Sequence, residues 1–123
     1  MAVGDIKDER AIVVVVTLGD TVTKGQVIHK ESDSKWDPGT LAATGNKAVA
    51  LESGILDDEI RAVIWGAVEV TNDDTTALII GDTVGAGTAG DVSANITAGQ
   101  AFATAMEAMA ADGIGTVWVG LVR

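Results

Sequence analysis

No cysteine occurs in these 123 residues. Disulfides and thiolate-bound metals are therefore excluded, and the chain says nothing about its redox compartment. Tyrosine is absent, and phenylalanine and proline occur once each. A core so poor in large aromatics must use small and β-branched side chains, which suit tight, strongly curved sheets. Cations are scarce: eight Lys and Arg stand against 18 Asp and Glu, for a net charge of −10. Binding a phosphate backbone needs clustered cations, so no nucleic acid is expected as a partner. No apolar run approaches the roughly 20 residues of a membrane-spanning helix, and no membrane is expected either. The charged opening MAVGDIKDERAI has no basic segment leading into an apolar stretch, so no secretory signal is expected.

What is present is a pattern that occurs twice. Residues 48–70 (AVALESGILDDEIRAVIWGAVEV) and 101–123 (AFATAMEAMAADGIGTVWVGLVR) align without gaps. Each opens on an Ala-rich run, turns through an acidic loop and closes on a strand-like stretch, with Trp65 opposite Trp118. Upstream stand two matching turns, Gly19-Asp20-Thr21-Val22 and Gly81-Asp82-Thr83-Val84. The first copy is longer by the polar segment 31–39. A chain of this length makes one domain. We expect an N-terminal arm over residues 1–10 and a single β domain over 11–123, with half-units of about 11–70 and 77–123.

The expected fold class is mostly β: a small barrel or sandwich built from the two pseudo-repeated units, with at most one or two short helices. Residues 11–18 (AIVVVVTL) form a continuous β-branched run, expected to be a strand buried on both faces. Residues 60–70 alternate, with Ile60, Ala62, Ile64, Gly66, Val68 and Val70 on one side. Residues 101–106 are read as strand from the repeat, and 107–112 as a turn or short helix. The segment 31–39 (ESDSKWDPG) reads as a surface loop or hairpin tip, with Trp36 exposed on it. Such a Trp is either an anchor for a partner or packed against its own loop.

None of the chemistry-bearing residues forms a recognisable reaction centre, and no catalytic residue, cofactor, metal or small-molecule substrate is expected. The one histidine, His29, has no second His or Cys to share a transition metal and is read as a strand-end residue. The acidic pairs Asp57-Asp58 and Asp73-Asp74 lack the spacing of a calcium loop. The stretch GDTVGAGTAG (81–90) lacks the Gly-Lys-Ser/Thr ending of a phosphate loop. No serine sits in a nucleophile-elbow context.

Two family resemblances follow from the segments themselves. The string from Gly19 to Ile28 is similar to the opening hairpin of biotinyl/lipoyl-type carrier domains, and Gly45-Asn46-Lys47-Ala48 is similar to a lipoyl-lysine turn. That alternative would make Lys47 a modification site. Met106–Ala110 is similar to the biotinyl motif but has Ala110 where the acceptor lysine should stand. The second resemblance covers residues 15–123. The hairpin Val22–Val27, the strand Ala48–Ala50, the acidic turn and strand Asp57–Val70, the turn Gly81–Val84 and the stretch Ala101–Leu121 follow in the order that resembles bacteriophage capsid cement, or head decoration, proteins.

This resemblance implies a non-enzymatic β protein located on the capsid exterior of a virion. It would sit there as a homotrimer, bind the major capsid protein and stabilise the shell. Expected exposure then selects the arm and the 31–39 loop as contact regions. The candidate contacts are Ala2, Val3, Ile6, Lys7 and Arg10 on the arm, and Lys35, Trp36, Asp37 and Pro38 on the loop.

Overall fold

The computed structural model describes residues 4, 11–40, 46–73, 76–88, 90–94 and 100–120. Among them are nine strands and no helix: β1 (Ile12–Thr17), β2 (Val27–Lys30), β3 (Trp36–Pro38), β4 (Lys47–Ala50), β5 (Glu59–Thr71), β6 (Thr83–Ala86), β7 (Val92–Ser93), β8 (Ala103–Ala105) and β9 (Ile114–Val119). All strand pairs are antiparallel, in the order β3-β2-β4-β5-β9-β8-β6-β7, with β1 also on β5. The sheet is strongly curled into a half-barrel. The short region after Met106 is a turn, not a helix.

The long strand β5 organises everything else. Its first half pairs with β1 and β4, and its second half, from Gly66, pairs with β9. Two five-strand units result, sharing β5: β3-β2-β4-β5-β1 and β7-β6-β8-β9-β5. Their registers match pair by pair. Val27↔Val49 and Val49↔Val63 in the first unit answer to Thr83↔Thr104 and Thr104↔Trp118 in the second. Thr17↔Glu59 answers to Thr71↔Ile114. The bridges Leu18↔Trp36 and Val22↔Gly54 answer to Asn72↔Val92 and Leu78↔Met109. The loops agree as well: Leu51 N–H donates to Arg61 O, and Met106 N–H to Thr116 O, both at 2.9 Å. Asp57 and Asp112 take the same left-handed turn, with φ of 70° and 61°.

This register corrects the ungapped alignment. Trp65 is not the counterpart of Trp118; Val63 is. The alignment on tryptophan is displaced by two residues over its whole length, because backbone hydrogen bonds, not side-chain identity, set strand register. The junction between units also lies inside β5, at Gly66.

Gly66 breaks the expected alternation. Ile60 and Ala62 face one core while Val63, Val68 and Val70 share another. Residues five apart on an unbroken strand point to opposite faces, so Val63 and Val68 could not meet without a change of parity. The pairing with β1 shifts register between Val63 and Trp65, as at a bulge, and Gly66 follows with φ of 124°, a conformation that a side chain strongly disfavours. A Cβ there would also lie 2.8 Å from the Cα and Cβ of Ala11.

The two cores differ in depth. The smaller gathers Leu18, Val22, Ile28, Trp36, Ala48 and Ile60 on the front of the first unit. The larger fills the second unit and is closed by the back of the first, through Val27, Val49, Leu51 and Val63. Burying each valine is worth about 1.5–3 kcal/mol, so this row is a main bond between the units. The units also touch where Val27 N–H donates to Gly90 O at 2.6 Å.

The strand expected to be buried on both faces is buried on one. Val16 and Leu18 are in the core, but Ile12, Val13 and Val15 are 51%, 37% and 65% exposed. Among the described residues nothing covers these side chains, so this face of β1 is open.

Candidate interaction surface

The polar segment 31–39 forms a β2–β3 hairpin. Glu31 N–H donates to Lys35 O at 2.8 Å, Ser34 N–H donates to Glu31 O at 3.0 Å, and Ser34 takes φ of 69°. Asp33 Oδ1 accepts from Lys35 N–H at 2.9 Å. The tip therefore spans 31–35, and Trp36, Asp37 and Pro38 belong to β3. This corrects the reading of Trp36 as exposed. It is 8% exposed and sits among Leu18, Ile28 and Ala48. The hairpin turns one residue before it, and an indole facing a small-residue core gains more than one facing water.

The other loop residues are held in place. Lys35 Nζ meets Asp57 Oδ1 at 2.7 Å, which raises the lysine pKa above its ordinary value. The pair is open to solvent and adds little to stability. Asp37 lies opposite His29 in the β2–β3 register and is half-buried, as is Pro38. Burial raises the Asp37 pKa, and a hydrogen bond and repulsion from Glu31 raise it further. His29 Nε2 stands 3.7 Å from Glu31 Oε1.

Of the arm residues, Ala2, Val3, Ile6, Lys7 and Arg10 lie outside the described residues. Gly4 is described: it is buried, and its N–H donates to Glu69 O at 2.8 Å. Lys47 opens β4 opposite His29, with its pKa lowered by burial. A carrier lysine must present its amine at an exposed hairpin tip; one seated on a strand in mid-sheet, partly buried, corrects that alternative.

Concave sites occur among the described residues. One, of about 430 Å³, is an open groove lined by Val14, Trp36, Asn46, Lys47 and Ile64. It is the mouth of the smaller core, and Ile64 on its wall is 36% exposed. Sequence reading missed it because its residues come from β1, β3, β5 and the start of β4, far apart in the chain, and read separately as core strand, surface loop and turn. Another, of about 380 Å³, is lined by Thr23, Lys24, Gln26, Thr71, Gly90 and Asp91. Among the described residues no three His, Cys, Asp or Glu converge on a point where a metal could bind. The arrangement offers apolar contact area beside a polar hairpin, which is the chemistry of association.

No protein-family model matches this chain. No curated protein matches it in sequence. Among solved structures it is similar to the N base of head fiber gp8.5 in bacteriophage phi29, with a TM-score of 0.63 and 13% sequence identity. The match covers 92% of this chain and 99% of that one. At this identity the likeness is one of fold, and it takes in both five-strand units.

Proposed function

We propose that this chain is a structural protein of a bacteriophage head that decorates the outer capsid surface and stabilises the shell. The observation that carries this reading is the fold likeness to a head fiber base across nearly the whole of both chains. The acidic balance supports it, since a net charge of −10 suits a surface turned away from packaged DNA. A rigid β body also suits a lattice, where many weak contacts add by multivalency. The contact regions in this reading are the arm residues 2–10 and the hairpin tip 31–35. The partner is the major capsid protein, the protein works as a homotrimer, and no catalytic step is involved.

The test is co-sedimentation of the purified protein with undecorated heads. Saturable binding at a fixed number of copies per shell is expected, together with a higher temperature of capsid disruption. Replacing Lys7 and Arg10 by Glu should weaken binding while circular dichroism stays native, and removing residues 2–10 should abolish it with the added loss of the Gly4 N–H bond to Glu69 O. Failure of the full chain to bind heads overturns the reading.

A further inference from the structure

The two units are joined in one direction: the back of the first plugs the front of the second. The plug is Val27, Val49, Leu51 and Val63, all 8% exposed or less. The socket it fills includes Val68, Val92 and Val119 in the same buried cluster, with the partly buried Phe102 packed against them. The matched registers carry each of these onto a counterpart in the other unit. The socket counterparts are Val14, Trp36, Lys47 and Ile64, which are four of the five residues lining the 430 Å³ groove. The groove is thus the first unit's socket, standing open where the second unit's is filled. The plug counterparts are Thr83, Thr104, Met106 and Trp118 on the back of the second unit. Thr83 and Met106 are exposed, and Thr104 and Trp118 are half-buried.

We infer that copies of this chain assemble head to tail, the back of one copy's second unit seating in the first-unit groove of the next. The occupant is a second copy because the chain already shows how this socket is filled, and among the described residues it carries the matching plug with Thr83 and Met106 exposed. The replacements fit the change from permanent core to surface. Threonine keeps the branched shape of valine but adds a hydroxyl that water can solvate when the face is free. Trp118 in place of Val63 supplies the kind of large anchor on which interfaces concentrate their energy. A contact between unlike faces is heterologous, so it closes into a ring or runs on as a filament. This inference rests on the internal repeat and does not depend on the phage reading.

The test uses the full chain, which lacks cysteine. Single variants Ile64→Cys (socket) and Met106→Cys (plug) are treated with a short bismaleimide, alone and mixed. Cross-linked dimers are expected in the mixture and not in either variant alone. Sedimentation should show the unmodified chain at a multiple of its 12.5 kDa mass. Ile64→Glu and Met106→Arg should each weaken association about tenfold or more, as charge placed in an interface core does. Both sites are on the surface, so melting temperature reports whether each variant still folds, and Ile12→Asp, two residues before the groove-lining Val14 on β1, serves as a replacement if one does not. A chain that stays monomeric at its highest soluble concentration overturns the inference. So does an assembly indifferent to both charges, or one in which either single-cysteine variant cross-links to itself. Loss of head binding by an intact assembly would instead sink only the proposed function.

Discussion

Trp65 and Trp118 meet edge to face, with ring centroids 5.7 Å apart and planes at 84°. They come from adjacent strands but not from matched positions: Trp118 pairs with Ala67 on β5, and Trp65 reaches back to its ring. Gly120 makes the space, since a side chain there would run into the Trp65 ring, and its φ of 97° belongs to glycine. The indole pair therefore straddles the junction between the units, where β5 passes from one to the other.

A double-mutant cycle on Trp65→Leu and Trp118→Leu, read by urea unfolding, should give a coupling energy of about 0.5–1.5 kcal/mol. Near-ultraviolet circular dichroism should lose intensity with either change. Additive effects would mean the rings do not meet in solution.

Gly66→Ala should cost about 2 kcal/mol or more, because it combines a disfavoured φ with a contact on Ala11. Gly81→Ala is the control. Gly81 has φ of 92° but nothing within 4 Å of its added Cβ, so only the backbone penalty applies. Chemical denaturation of both should show the larger loss at Gly66.

How much of this was legible in the sequence turns on the same residues. The β class and the doubled units could be read, because turn residues and β-branched runs act locally. The register could not. The matching of the two Gly-Asp-Thr-Val turns is corrected: Gly81 stands at the position of Gly25, with φ of 92° and 90°, and Val22 answers to Leu78. The tryptophans suggested one alignment, while paired features such as the left-handed turns at Asp57 and Asp112 enforce another, and φ is invisible in a string of letters. Trp36 was misjudged for a related reason. Its neighbours are polar, but the hairpin turns at Ser34, and strand geometry then aims the ring inward. The groove could not be read at all, since it exists only where four strands converge.

The units also trade volume. In the first, Gly54 leaves room for Ile60; in the second, Met109 stands at the position of Gly54 and folds over Gly115, at the position of Ile60. Met109→Gly alone should cost about 2–5 kcal/mol as a cavity. Gly115→Ile alone should cost about 1–3 kcal/mol as overpacking. The double variant reproduces the first unit's arrangement and should recover much of the loss, which thermal melts of all three would show. A double variant no better than the sum of the singles would mean that the two sites are not equivalent.

Asp37 gives a pH dependence of definite sign. Its folded-state pKa is raised, by burial first and by Glu31, Asp20 and Asp33 after it. Between the unfolded and folded pKa values the folded chain binds more protons, so stability from this group falls as pH rises through that acidic window. Above that window Asp37 is ionised against its surroundings and works against folding. Asp37→Asn removes that charge and should raise the melting temperature at pH 7. The advantage should shrink as pH falls through the folded pKa, because the native carboxyl is then protonated and neutral as well. Melting curves of both proteins from neutral to acid pH test this. An advantage that stays constant or grows on acidification would show that Asp37 is stabilised as a carboxylate, contrary to the burial and the acidic neighbours found around it.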